Sequence, residues 1–357
     1  MRATPPNIAV LGAGLAGCTL ALELEKAGAH VYLFHDGSTT SSSDVAAGLI
    51  NPIVPKGVRM TWQWERMFPN WLRYYREWEL VLQTPFIDSH ELIQLHLHPD
   101  HYQEWETKSQ EQPQSQFIGH TQQEIPAHSR ALYSHAVVLS GRLDVQAFCH
   151  ATRSHFAKKG QLHDQRWEPQ TGPPFTLPLG QPVSHVVYCQ GIQLLQNPLW
   201  NWLPMHPTGG DILTVSIPSA ALLPMAIWKS KQWLVPLKRL ANNSEPMWLL
   251  GSNFHKGDLS TETRIEDAES LLDETEAWLG VRPHLLEHRR AVRPTVGSRR
   301  PYLGQHPQLA NRWIFNGLGS KGSALASWLA PLMAQHLIEG CELPKEVNIE
   351  RHWQEQP

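Results

Sequence analysis

Cysteine is scarce, with four in 357 residues, at positions 18, 149, 189 and 341. None falls in a C-x-x-C pair, so a thiolate metal knuckle and a disulfide framework are both excluded, and the pattern fits a reducing compartment. An excess of one charge is missing too. Thirty Lys and Arg stand against 33 Asp and Glu, a net charge of -3, so the chain as a whole has no bias toward polyanions. No apolar run is long enough to span a bilayer. Met1 leads through a few polar and proline residues into apolar sequence, without the basic start and apolar core of a signal peptide. A cytoplasmic location is expected. Histidines are plentiful, 20 in all, yet none stands in an H-E-x-x-H or other ligand spacing. Those between Phe86 and Val138 are expected to be solvated, and no metal site is expected.

What is present begins at the N-terminus. The apolar run Asn7 to Leu11 enters a turn with glycines at 12, 14 and 17, a small-residue segment follows to Gly28, and a second apolar run, Val31 to Phe34, closes the unit. This is a βαβ dinucleotide fingerprint in its proper context. Gly12 permits the tight turn, Gly14 lets backbone approach a pyrophosphate seated on a helix N-terminus, and Gly17 lets helix and strand pack closely. The acidic residue that binds ribose hydroxyls belongs at the end of the second strand; here His35 stands nearest, and Asp36 follows it. The chain length favours two lobes over one. Fifteen tryptophans read as core and interface residues.

Farther along, a Ser/Thr-rich loop from Gly37 to Asp44 leads into Ala46-Ala47-Gly48, small residues that admit a flat ligand, with Ser42 and Ser43 as phosphate donors. Spacing of Trp64, Phe68, Trp71, Leu72, Tyr75, Trp78 and Leu82 predicts one amphipathic helix over residues 61–82, its aromatic stripe in the core. A strand is expected at Leu92 to Leu97, and a helix opening at Ser140 to Phe148 and running to Gly160. After a loop with Pro173 and Pro174, Val183 to Gly191 reads as a buried parallel strand whose glycine end faces a cofactor. Short alternating runs from Gly209 to Gly251 suit an antiparallel sheet. A helix follows over about 265–279. The strand Trp313 to Gly317 then feeds a second glycine-rich turn, Leu318 to Gly322, and a helix from Ser323 to Leu337. Glycine turns at both ends of the chain imply one nucleotide lobe built from both termini, with a sheet inserted between.

Taken in order, the Gly12–Gly17 turn, Ala46-Ala47-Gly48, Val186 to Gly191, Gly251-Ser252-Asn253-Phe254, Arg293-Pro294 with Pro301-Tyr302-Leu303-Gly304, and Gly317 to Gly322 resemble the D-amino-acid-oxidase-like (DAO) FAD-dependent oxidoreductases. Within them the chain is most similar to the glycine oxidase branch and to the oxidoreductase domain of the bacterial enzyme that modifies the wobble uridine of tRNA. The resemblance covers nearly the whole chain at the level of motifs. It implies an α/β fold, with a Rossmann-like FAD-binding domain (1–85, 139–205 and 290–357) and an antiparallel-sheet α+β substrate domain (86–138 and 206–289). FAD would be held non-covalently by Gly12, Gly14, Gly17, Asp36, Ser43, Ala47, Gly48 and Gly191, and by the last turn, Gly317, Gly319, Ser320, Lys321 and Gly322. Arg293 would grip a substrate carboxylate, with Asn253 and Phe254 as pocket residues.

The implied activity is hydride transfer from an amine-bearing carbon of a small amino acid or secondary amine, with O2 or another carrier as final acceptor. A tRNA aminomethyl-uridine side chain is the alternative substrate, and a catalytically silent flavoprotein the other alternative. Several positions depart from the family pattern: Gly209, Ser298 and Ser320 replace more common charged residues. Leu249 stands where the sarcosine-oxidase branch has an oxygen-activating lysine.

Overall fold

Alternation along the first strand sets the architecture. In Asn7–Leu11, Ile8 and Val10 face one way, Ala9 and Leu11 the other, and both sides are buried, as in a parallel strand covered on both faces. The computed structural model describes residues 5–37, 40–119, 125–168, 175–178, 180–218, 223–237 and 246–353. The expected loop at Pro173 and Pro174 lies outside them, as do Ser38 and Thr39. The first strand sits inside a six-stranded sheet of order Leu162–His163, His30–Phe34, Asn7–Leu11, His185–Tyr188, Arg312–Asn316, Tyr302–Gln305. Neighbours run parallel except for the last pair. One face packs on the helices Leu15–Lys26 and Gly322–Glu339, whose small residues let them lie close. The other buries Tyr32, Phe34, Tyr188 and Trp200.

The strands beyond Pro207 form most of an eight-stranded sheet, antiparallel except where Ile227–Lys229 runs beside Leu92–His96. Here too the period of two separates the faces. Ile212, Ile227, Val235, Leu249 and Ala291 join the core shared with the nucleotide half. Leu213, Trp228, Leu234, Trp248 and Leu250 pack instead on the helix Ile265–Leu279. The ten-residue strand His284–Arg293 pairs with Thr208–Ser216. Its first four residues are exposed, which hides it from an apolar-pattern search. No described helix is long and apolar enough to cross a membrane.

Three expectations are corrected. The helix over 61–82 is two helices, Trp64–Met67 and Trp71–Leu82, because Pro69 brings no N–H to the ladder. Its stripe is nevertheless core: Trp71, Tyr75 and Trp78 are buried, with Tyr75 Oη donating to Ser323 O at 2.7 Å and Trp78 Nε1 to Glu23 Oε1 at 3.2 Å. Next, Gly141–Leu143 is a strand, and the helix starts only at Val145, where Asp144 caps it by accepting from Ala147 N at 3.1 Å. Finally, the histidines are not all solvated. His96 is fully buried between His135 (Nε2 to Nδ1, 2.9 Å) and His101 (Nδ1 to Nδ1, 3.2 Å), and His135 reaches Glu106 at 3.2 Å. Burial, with the neighbouring imidazoles, pushes His96 down to about 3, so it is a neutral link in a hydrogen-bonded chain at pH 7.

Candidate active site

A cleft opens at the carboxyl ends of Asn7–Leu11, His185–Tyr188 and Arg312–Asn316, faced by the second sheet. This is the edge of a parallel sheet where ligands bind. Gly12 turns the chain with φ 106, and a Cβ there would overlap the Cys189 carbonyl oxygen, so only glycine passes. Gly14 lines the cleft as N-cap of Leu15–Lys26 and brings no capping side chain of its own, so the first-turn N–H groups other than that of Leu15 are open to an anion. Gly17 is not on the wall. A Cβ on it would overlap the Gly12 oxygen, so it supports the turn from behind. Ser43 lies on the wall and its Oγ accepts from Leu15 N at 3.0 Å, leaving its hydroxyl hydrogen for a ligand. Ala47 and Gly48 continue the wall, and Asp36 lines it two residues past the end of His30–Phe34.

The other glycine turn closes the opposite side. Asn316 Nδ2 donates to Gly191 O at 3.0 Å and its Oδ1 accepts from Gly317 N at 2.8 Å, tying two strand ends together. Gly191, Gly319, Ser320, Lys321 and Gly322 line the cleft; Gly317 sits behind, against Val296. Lys321 Nζ donates to Asn51 O at 2.9 Å and Thr61 Oγ1 at 3.1 Å. Burial, reinforced by the Lys229 charge, pushes its ammonium down to about 8.

That shift makes a pH prediction. From about pH 8 to about 10.5 the unfolded lysine holds a proton that the folded one has released, so stability of the cofactor-free protein rises with pH across that window. Thermal unfolding should show this rise in the native chain and a smaller one in Lys321→Met. An equal rise in both would remove Lys321 as its source.

Arg293, at the end of its strand, projects onto the cleft wall. Its Nη1 donates to Gly209 O at 3.2 Å and Asn253 O at 3.4 Å, and the Phe254 ring lies 4.7 Å away. No described carboxylate is within ion-pair distance. Burial pushes its guanidinium down to about 10, Asp211 opposing the shift, so it remains a cation. Gly210 leaves the room it needs, since a Cβ there would overlap the guanidinium. Phe254 lines the cleft. Asn253 does not: its side chain is engaged by Asp211 N at 2.7 Å.

Behind Arg293 lies a buried ion cluster that the sequence pattern did not reveal. Arg290, fully buried, meets Asp211 at 2.5 Å, Asp258 at 2.7 Å and Asp267 at 3.0 Å, and His288 meets Asp211 at 2.8 Å. Asp211, His255 and Asp267 are near enough together for a cation, but Arg290 Nη1 already bridges the two carboxylates. Asp211→Asn is expected to lower stability by about 2 kcal/mol, below the cost of a wholly orphaned charge because Arg290 keeps Asp258 and Asp267. Denaturant unfolding reads this, and an unchanged midpoint would contradict it. Lys229, Trp233 and Ser252 are further wall residues absent from the sequence-derived set. The alternation that puts Ile227 in the shared core was the available signal for Lys229.

Two helix N-termini, a free hydroxyl hydrogen and a buried ammonium thus converge on one cleft, a donor set that fits the phosphates and the electron-accepting ring of FAD. Comparison with known proteins agrees. The family described as FAD dependent oxidoreductase, DAO, matches residues 7–336. The fold is shared with glycine oxidase from Bacillus cereus, at a TM-score of 0.72 and 16% identity over 95% of this chain and 96% of that one. It is shared equally with iminodiacetate oxidase from Chelativorans sp. BNC1 (0.73, 16%, 97% and 98%) and L-proline dehydrogenase from P. horikoshii (0.74, 14%, 96% and 96%).

Proposed function

Because the chain belongs to the DAO family of FAD-dependent oxidoreductases, we propose that it oxidises the C–N bond of a small amino acid or secondary amine. Arg293 carries this reading, as a cation on the cleft wall whose contacts with described residues are neutral. A planar guanidinium holds a carboxylate by two parallel hydrogen bonds and so fixes the direction of the α-carbon. Bound FAD supplies the two-electron acceptor for the hydride leaving that carbon. The chain's own share is positioning and field. Gly12, Gly14 and Ser43 hold the pyrophosphate, and Asp36 serves the ribose. Lys321 and the N-terminus of Gly322–Glu339 offer positive potential where negative charge develops. Ile212, Trp233 and Ala291 make the substrate side apolar. No described carboxylate lines that side, so the amine enters neutral and water hydrolyses the imine product.

The arginines around 289 to 300 favour this small-molecule reading over a tRNA substrate. Arg290 is consumed by three carboxylates and Arg289 pairs with Glu287 at 3.4 Å, so two of the five arginines are already spent on acids. The test is anaerobic addition of amino acids and N-alkyl glycines to the yellow protein. Bleaching of the flavin band by one of them is expected. A flavin that none bleaches would overturn the reading and turn attention to the aminomethyl-uridine of tRNA. Readmitting air to the bleached protein then tells O2 from another carrier as acceptor.

A further inference from the structure

We propose that the cleft takes an elongated amine carrying a second anionic group, a carboxylate or a phosphate, at the end away from Arg293, and that Lys229 receives that group. The inference rests on Arg293 holding the first carboxylate, as proposed above.

The charges on the wall point there. Among the described residues Asp36 is the one acid lining the cleft, at the far end beyond His30–Phe34; Arg166, Lys229, Lys231, Arg293 and Lys321 line it as well. Arg166 pairs with Glu168 at 2.9 Å and Lys231 with Glu274. Lys321 is held by two neutral oxygens beside the glycine turn. Lys229 has no described carboxylate within ion-pair distance, and its hydrogen bond to Ser230 O is long, at 3.4 Å. A largely buried cation with so little compensation is costly. Burial pushes its ammonium down to about 8, so at neutral pH it still carries its proton and presents a charge, not a base.

The register of the sheet sets the distance. Lys229 pairs with Trp233, Trp233 with Gly251, and Gly251 with Ile212, one row across four strands. The Arg293 guanidinium lies against Gly210, two residues from Ile212 on the same strand. Three spacings of about 4.8 Å separate the strands of Gly210 and Lys229, which sets the two charges on the order of 15 Å apart. Ile212 and Trp233, both on the cleft wall, stand between them. A ligand that satisfies both ends therefore has two anionic termini and an apolar middle.

The holoenzyme is titrated with straight-chain dicarboxylates from malonate to azelate and with monocarboxylates of equal length, following the perturbation of the flavin spectrum. This reads binding without turnover. The long diacids are expected to bind about 10- to 100-fold tighter than their monoacids. Lys229→Met should collapse that ratio toward one and Lys229→Arg should restore most of it, each with a normal flavin spectrum as evidence of folding. A ratio near one in the native protein, or one that survives in Lys229→Met, overturns the proposal. N-carboxymethyl amines ending in a carboxylate or in a phosphate then tell the two anions apart, by which bleaches the flavin at lower concentration. Since the diacid titration needs no amine oxidation, a flavin that no amine bleaches would sink the proposed function while leaving the ratio to stand or fall by itself.

Discussion

Replacing Arg293 by leucine is expected to cost about 3 kcal/mol of substrate binding, more than a hundredfold in the substrate concentration needed for half-maximal flavin reduction. The fold should survive. The guanidinium touches two backbone carbonyl oxygens and the Phe254 ring, so its removal strands no described carboxylate, in contrast to removal of Arg290. The visible flavin spectrum and the melting temperature should therefore stay close to those of the native chain while substrate saturation is lost. Arg293→Lys should fall between the two, because a point charge keeps the attraction without the two-pronged grip. Stopped-flow reduction without oxygen measures both variants. An Arg293→Leu protein that saturates at the native concentration would remove the residue from the substrate site.

The second large effect separates cofactor binding from folding within one turn. A Cβ on Gly14 would meet Ser43 Oγ at 2.9 Å, the end of a side chain that can rotate away, and otherwise open cleft. A Cβ on Gly17 would overlap the backbone oxygen of Gly12, which cannot move without undoing the turn. Gly17→Ala is thus expected to lose about 3 kcal/mol or more of stability whether or not FAD is present. Gly14→Ala should unfold like the native apoprotein yet retain FAD poorly, because the added methyl fills the approach to the pyrophosphate. Melting curves of the apoproteins, with FAD content after gel filtration, give the comparison. Equal destabilisation by the two substitutions would show that Gly14 is a packing residue only.

Local chemistry made much of this legible in the sequence. The Gly12–Gly17 turn, the Ile265–Leu279 helix and the second glycine turn each depend on residues adjacent in the chain. Arg293 was singled out by the family resemblance, through its place before Pro294 and the Pro301-Tyr302-Leu303-Gly304 run that follows. The helix break at Pro69 was in the sequence as well, but an aromatic stripe with helical spacing on both sides of the proline masked it.

What the sequence determined by itself was the dinucleotide-type βαβ unit and the antiparallel character of the inserted sheet, because alternation, turns and glycine spacing act over a few residues; the family came from the resemblance of its ordered motifs. Tertiary structure alone decided the charges. Whether an arginine in Arg289-Arg290-Ala291-Val292-Arg293 is a spent ion pair or an open cation depends on partners from distant segments: Asp211, Asp258 and Asp267 take Arg290 and leave Arg293. His96, polar and in a histidine-rich stretch, is fully buried because His101 and His135 satisfy its ring. Lys229 is on the cleft wall because strand pairing brings its row across to Ile212. Burial and pairing are properties of what surrounds a side chain, and the chain order does not state them.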